Sequence, residues 1–247
     1  MKFQRIHIHY IVRLIIFWLL YFALFRMLFI VYHHAKILNG KHSETGLSFL
    51  YGLRLDLSTA SIAILIPYIL WLFQQFYKNR LIHLINLFYN CGLIVLVSAL
   101  SIINLKIYGE WGTLLGTRAL KYFLYPDEMH SFISLWSVLL LIFATSVFAY
   151  FGIRMYRRWV TNFSYPIENH KIRFTVILLI PAFIIIGFRG GLQNIPINES
   201  NSDYSDSPIN NVIATNNIWY LAHTYWDNTK DEDFNDLRNA TLNKDSQ

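Results

Sequence analysis

Two residues of opposite charge, Arg26 and Asp56, lie in or beside apolar runs, where an ionised side chain is costly and usually has a partner. Arg26 lies six residues before Tyr32, the last residue of the first run, which corresponds to a depth of about 9 Å along a helix. Asp56 lies near the start of the second run, at a comparable expected depth. We therefore predict that Arg26 and Asp56 form an ion pair between the first two helices.

The stretch GLRLDLSTAS, residues 52–61, is unusually polar for the start of an apolar helix. Arg54 and Asp56 would lie about 200° apart around that helix, so they do not face each other. Asp56 would also lie at the helix N-terminus, where the macrodipole favours an anion. Two interpretations follow: the cluster holds a lipid headgroup or a partner domain, or it is a helix cap with a buried ion pair that fixes helix packing.

Several cationic side chains are expected near the same membrane surface as Asp56. Charge-assisted hydrogen bonds would allow them to hold the phosphate of an anionic phospholipid. Ordinary snorkelling of long side chains to the interface is the alternative. The candidates for lipid-headgroup or packing sites are Arg26, Arg54, Asp56, Arg118, Lys121 and Arg189, and Lys106 belongs to the same cationic set.

The nine histidines suggest metal binding at first sight, but they lack the spacing of a ligand set, and no H-E-x-x-H motif is present. Cys91 is the only cysteine, so no disulfide or thiolate site can form within the chain. Neither a phosphate-binding glycine loop nor a G-x-S-x-G elbow occurs. We therefore predict no catalytic, cofactor-binding or metal-binding residue in this chain.

The composition indicates what positions these residues. The chain is 55% hydrophobic and only 15% charged, against about 25% charged in soluble domains. The net charge of +6 would suggest nucleic acid for a soluble protein, but in a membrane protein it reflects loop charges that set topology, so no nucleic-acid partner is expected. The fifth apolar run is short and contains Pro181, which predicts a kink. We predict an all-α polytopic membrane protein whose five transmembrane helices cover residues 11–32, 55–76, 81–105, 132–153 and 172–188.

Lysine and arginine cluster most tightly in the loops on the side of the N-terminus, which predicts a cytoplasmic N-terminus and an extracytoplasmic C-terminus. Segments 113–125 and 216–226 combine aromatic residues with helical spacing and are predicted to lie in the outer membrane interface. In GFRGGLQNIPIN, residues 187–198, two glycines are expected to end the fifth helix and Arg189 to reach lipid phosphates. The acidic segment after it is predicted to be a linker whose last twenty residues are disordered or weakly helical.

Three stretches together resemble one family: YGLRLDLSTAS, YGEWGTLLGTRALKYFLYPDEMHS and FRGGLQNIPIN. They look like the membrane half of lipoteichoic-acid-synthase-like phosphoglycerol transferases, of the sulfatase and alkaline phosphatase superfamily, in the form found in Bacteroidetes. The resemblance covers essentially residues 5–226. It implies five N-terminal helices, a juxtamembrane linker with interfacial helices, and an extracytoplasmic α/β catalytic domain that holds a divalent metal.

The catalytic half of that family, with its metal-binding Glu, its Thr or Ser nucleophile and its Asp and His ligands, has no counterpart in this chain. Thr241 lacks the strand context and is not a candidate nucleophile. The resemblance thus implies a transmembrane domain, residues 1–191, and a linker, residues 192–247, that stops before the catalytic domain, so the chain is expected to be a fragment or a truncated version.

The expected function is that of an anchor in the bacterial cytoplasmic membrane, not catalytic alone, with the lipid bilayer, an anionic phospholipid and the missing catalytic domain as partners. The full-length enzyme would transfer or hydrolyse phosphoryl or sulfuryl groups on lipid-linked or cell-envelope substrates. The alternative is an independent small membrane protein, either a transporter-like bundle or an accessory subunit. Five helices do not divide evenly into the repeats that transporters tend to show, which favours the anchor.

Overall fold

The computed structural model describes residues 6–38, 42–77, 79–117, 134–160 and 170–230, and within these ranges the chain is helical with no strand. Short 3₁₀ helices cover His42–Leu47 and Glu199–Ser202. The α-helices are α1 (Ile6–Tyr32), α2 (His34–Leu38), α3 (Ser48–Tyr51), α4 (Leu53–Gln74), α5 (Arg80–Trp111), α6 (Leu135–Trp159), α7 (His170–Arg189), α8 (Pro208–Ala214) and α9 (217–230).

In the described ranges, four helical stretches are long and apolar enough to cross a membrane: Tyr10–Tyr32, Ser43–Gln74, Arg80–Trp111 and Leu135–Trp159. A multi-pass membrane protein is thereby supported. The fifth predicted run forms α7, a helix of 20 residues. Its crossing of the membrane stays a prediction.

Two helices extend well beyond the apolar runs that predicted them. Helix α5 continues past Leu105 to Trp111, where the left-handed Gly112 (φ 69°) ends it. Helix α6 begins at Leu135 and continues past Ile153 through a basic turn to Trp159. Hydropathy falls at the first charged residue, whereas a helix tolerates Lys, Arg and Glu well and gains from basic residues in its last turn. Residues 106–111, which lie beyond the predicted span of residues 81–105, are therefore part of the helix.

Helix α1 has two faces that differ in the kind of apolar residue they carry. The inward face is mainly aromatic and the outward face is aliphatic. Buried residues include Tyr10, Phe17, Trp18, Tyr21, Phe22, Phe25 and Phe29. Exposed residues are Val12, Ile16, Leu20, Leu24, Met27 and Val31, three or four apart. Both sets follow the helical period, so α1 has a packing face and a lipid-like face even though it is apolar all round.

Helix α1 packs against α4, α5 and α6, while α7 packs against the outside of α4. Neighbouring helix ends meet at two opposite ends of the bundle. At one end, Arg13 donates to the carbonyl of Trp159 and Arg173 donates to the carbonyl of Gln75. We call this the basal end. We call the opposite end, where the chain after α7 packs, the linker end. Residues 197–230 form the cap of that end.

Small and polar side chains hold α4 and α7 together. A Cβ atom at Gly187 would lie 2.2 Å from Ser61 Oγ, so a larger residue would displace that hydroxyl, and Ser58 donates to the carbonyl of Phe188 at 2.7 Å. Pro181 lacks the N–H that would bond the carbonyl of Ile177, and Tyr68 Oη donates to that carbonyl at 2.8 Å. A neighbouring helix thus satisfies the group that the proline frees, as expected for proline in a membrane helix.

The predicted interfacial helix 113–125 is not found in its first part, since residues 113–116 are not helical and residues 118–133 lie outside the described ranges. Leu114 and Leu115 are buried against the protein. In the second predicted segment, residues 217–226 are helical, but Trp219 is buried while Tyr225 and Trp226 are 61% and 62% exposed. Residues 228–230, within the predicted disordered or weakly helical tail, are helical, and residues 231–247 lie outside the description.

Candidate functional site: a buried charge network under the cap

The predicted ion pair between Arg26 and Asp56 is present, and it is bidentate. Arg26 Nη1 donates to Asp56 Oδ2 at 2.7 Å, and Nη2 donates to Oδ1 at 2.9 Å. The two side chains are only 4% and 3% exposed. A fork-to-fork pair of this kind is the strongest common hydrogen-bonding arrangement of arginine, and burial keeps water from competing with it.

Arg26 also closes the C-terminal end of helix α8 in the cap. Its Nε donates to the carbonyl of Ile213 at 2.9 Å, and its Nη2 donates to that of Ala214 at 3.2 Å. The last carbonyls of a helix have no partner within the helix, and their partial negative charge favours a cation. A single side chain from α1 therefore binds both α4 and the cap.

Asn216 joins the same network from the other side of Asp56. Its Nδ2 donates to Asp56 Oδ1 at 2.8 Å. Its Oδ1 accepts from the backbone N–H groups of Ile218 and Trp219, each at 3.0 Å, so it is the N-cap of helix α9. The direction in which α9 leaves the bundle is thus tied to the carboxylate of α4.

Gly52 is where the backbone of α4 comes closest to the network. A Cβ atom there would lie 2.3 Å from Arg26 Nη2 and 2.5 Å from the carbonyl oxygen of Ala214. Helix α4 continues from α3 through Gly52 in helical geometry, with the N–H of Asp56 bonded to the Gly52 carbonyl. Asp56 is therefore not the helix cap that one sequence interpretation gave; its role is the ion pair.

A second set of contacts fixes the rest of the cap to the segment before α4. Thr45 donates to Asn210 at 3.0 Å. Ser205 donates to the carboxylate of Glu44, and Tyr204 to the Glu44 carbonyl. The rings of Tyr51 and Tyr204 stack with centroids 4.6 Å apart. Polar residues that suggested a linker in the sequence are used here as side-chain partners of the bundle.

A small cavity of about 40 Å³ lies between α1, α5 and the cap, beside Arg26. Phe22, Phe25 and Phe29 form part of its wall, and Ser101 and Asn104 add polar groups. Since one buried water needs roughly 10–15 Å³ of this kind of space, the cavity suits a few waters rather than a substrate.

Arg54 and Arg189, which were candidates for lipid phosphate, both bond to the loop after α7. Arg54 donates to the carbonyl of Gly190 and to the side chain of Gln193. Arg189 donates to the carbonyls of Gln193 and Asn194. Gly190 and Gly191 end α7 with φ of 79° and 131°, as predicted. Arg118 and Lys121 lie outside the described residues.

The electrostatics of the cap surface include one raised carboxyl pKa. Partial burial raises the pKa of Glu199 above its usual value, and the negative charge of Asp203 raises it further, whereas His223 lowers it. Glu199 itself is an exposed residue, so the cost of its ionisation is small. The raised pKa nevertheless makes the folded cap slightly more stable at mildly acidic pH than at neutral pH.

Sequence reasoning found both charged members of the network but missed Asn216, Gly52 and the carbonyls of α8. An available signal was the abundance of asparagine between residues 194 and 217, since asparagine favours caps and turns of ordered segments. Each charge in the network has a partner. The arrangement is therefore better suited to holding the helices and the cap together than to catalysis.

Among the described residues, no three His, Cys, Asp or Glu side chains lie together as a metal site would require. Comparison of the chain with protein-family models, with curated proteins and with solved structures found no match.

Proposed function

We propose that the chain is the membrane anchor of an enzyme of the sulfatase and phosphoglycerol-transferase class that acts at the outer face of a bacterial cytoplasmic membrane. The anchor is not catalytic alone. An attached α/β domain with a divalent metal would transfer or hydrolyse phosphoryl or sulfuryl groups. The observation that carries the proposal is the attachment of the cap to the bundle by Arg26, Asp56 and Asn216.

This attachment suits an anchor because it fixes the direction of the departing chain. A flexible tether would leave the distance between an attached domain and the bilayer variable. Here α9 begins at an N-cap bonded to α4, and it carries the exposed Tyr225 and Trp226. Tyrosine and tryptophan favour the headgroup level of a bilayer. A domain that follows α9 would therefore be held close to lipid-linked or cell-envelope substrates.

The proposed orientation places the basal end in the cytoplasm. Arginines of α6 and α7 gather there, among them Arg154, Arg158 and Arg173, which is the distribution that cytoplasmic loops favour. With α7 as a fifth crossing, the cap lies outside the membrane on the extracytoplasmic side.

A transporter-like bundle is the competing function, and two observations favour the anchor over it. The buried charges Arg26 and Asp56 satisfy each other and the cap instead of lining a path. The cavity beside them, at about 40 Å³, is small for a transported solute.

Two experiments test the proposal. A phosphatase reporter that folds only outside the cytoplasm, fused after Gln247, is expected to be active, and the same reporter fused after Arg158 is expected to be inactive. Reading the coding sequence past codon 247 is expected to show an apolar strand that ends in Glu, followed by a turn that carries Thr. A stop codon at that point, or the reverse reporter pattern, would contradict the anchor.

A further inference from the structure

The basal end carries a group of arginines that no part of the cap network uses. Arg154, Arg157 and Arg158 lie on α6 at spacings of three and four residues, so they share one face of the helix. All three are exposed. With Tyr150 and Ile153 they line an open recess of about 630 Å³.

These arginines have little negative charge near them within the described part of the chain. Neither Arg154 nor Arg158 forms a hydrogen bond or an ion pair with another described residue, and α6 contains no acidic residue. The described acidic residues all belong to the linker end or the cap: Glu44, Asp56, Glu110, Glu199, Asp203, Asp206 and Asp227.

The helix dipole does not account for this group. Arg157 and Arg158 lie in the last turn of α6, where the helix presents about half an elementary negative charge in all. The charges of Arg154 and Arg158 alone exceed that value, and Arg154 lies a turn further from the helix end. The remaining positive charge would favour an anion from outside the described chain at this surface.

The surroundings of the recess match a phospholipid. Helix α6 is the least buried of the candidate spans, with 11% of its window inside the protein. Phe143, Tyr150 and Phe151 are 68%, 60% and 62% exposed on it, and Tyr150 lies about 6 Å along the axis from Arg154. An acyl chain could lie along these rings while its headgroup reached the arginines.

We propose that the recess formed by Tyr150, Ile153, Arg154, Arg157 and Arg158 binds the headgroup phosphate of an anionic phospholipid in the leaflet at the basal end. Arginine holds phosphate through two parallel N–H donors. Tyr150 and Ile153 give the glycerol and upper acyl carbons an apolar surface. This site lies at the opposite end from Arg54 and Arg189, whose N–H groups bond the loop after α7. Lipid binding here is independent of whether a catalytic domain is attached.

The test uses the purified full chain in detergent, titrated with phosphatidylglycerol or with phosphatidylcholine of the same acyl chains, with bound lipid counted by native mass spectrometry. The wild type is expected to prefer phosphatidylglycerol. The double variant R154Q/R158Q is expected to bind it about 25-fold more weakly, about fivefold for each charge removed. The single variant R158Q, expected to lose about fivefold, keeps the test decisive if the double variant folds poorly.

A matched control, K36Q/K230Q, removes one positive charge from α2 at the linker end and one from α9 in the cap, and it is expected to keep the preference. An unchanged preference in R154Q/R158Q, or an equal loss in the control, would overturn the proposal. Inorganic phosphate, compared with chloride at equal ionic strength, separates the two sources of the same chemistry. Displacement of phosphatidylglycerol by millimolar phosphate would assign the recess to a free anion and overturn the lipid assignment.

Discussion

At the linker end of the bundle, Arg26 is enclosed by a carboxylate and two backbone carbonyls, whereas at the basal end Arg154 and Arg158 extend into open space. An arginine thus joins three parts of the chain at the linker end, whereas two arginines face outwards at the basal end. Depth in the apolar layer explains the difference. A buried guanidinium must find its anion within the protein, because leaving it without one is costly, while a guanidinium at the interface can use lipid or water.

The first prediction concerns the ion pair at the linker end and has the largest expected effect. Asp56→Ala is expected to lower the free energy of unfolding by about 3–5 kcal/mol, because Arg26 would stay buried without its carboxylate. Unfolding of the purified chain in mixed micelles with increasing SDS measures this loss. Arg154→Ala, at the open end, is the matched comparison and is expected to change stability by about 0.5 kcal/mol or less. Equal effects of the two substitutions would remove the contrast between the ends.

The second prediction uses shape instead of charge. Gly52→Ala would place a methyl group against Arg26 and the Ala214 carbonyl, and such overpacking typically costs about 1–3 kcal/mol. Hydrogen exchange of the α8 amides is expected to accelerate, because the cap must move away from α4. Gly46→Ala is the control, since no heavy atom of the described residues, apart from its own chain neighbours, lies within 4 Å of the added carbon. If α8 exchanged equally fast in both variants, the cap would not depend on this close approach.

The third prediction addresses the basal end. Arg173→Gln removes a donor to the Gln75 carbonyl at the end of α4. The contact is long, at 3.5 Å, and only partly buried, so the expected loss is about 0.3–1 kcal/mol, as for a cation at a helix C-terminus. Thermal unfolding in detergent at low and high salt measures it, and salt should shrink the effect. A loss of stability as large as that of Asp56→Ala would mean that side-chain contacts stabilise the basal end as strongly as the linker end.

The smallest expected effect concerns pH at the surface of the cap. The pKa of Glu199 is raised in the folded chain above its usual value of 4.5 by partial burial and by Asp203. The folded state therefore binds more protons than the unfolded state between these two values, so its stability falls as pH rises through that interval. Glu199→Gln is expected to stabilise the cap slightly at neutral pH and to flatten the pH dependence. Unfolding curves at several pH values test this, and a steeper dependence in the variant would show that the sign is wrong.

The ion pair shows how far residue-level reasoning could go. The sequence predicts that Arg26 and Asp56 pair, because both charges lie at similar depths in apolar runs and an intramembrane charge needs a partner. Depth along a helix follows directly from residue count. The same reasoning could not find Asn216, since it lies 160 residues from Asp56 along the chain and its type alone gives no depth.

For the cationic residues near the linker end, the sequence alone does not distinguish an arginine that is free to bind lipid from one that is hydrogen-bonded within the protein. Arg54 and Arg189 had the charge for a lipid phosphate, but the loop after α7 offers them carbonyl acceptors instead. Whether an arginine forms hydrogen bonds within the protein depends on which backbone carbonyls the fold brings near it. Hydropathy likewise placed the end of α6 at Ile153 rather than Trp159, because apolarity and helicity end at different residues.

The amino-acid sequence by itself determined that the chain is a helical membrane protein, roughly where its long helices lie, and that Arg26 and Asp56 belong together. These features depend on composition and on local helical geometry, which act over a few residues. Tertiary structure alone decided that the acidic, asparagine-rich segment after α7 becomes a cap, and which arginines stay exposed at the basal end. Hydrogen-bond partners that are distant in the chain are chosen by packing, and neither residue type nor local spacing encodes that choice.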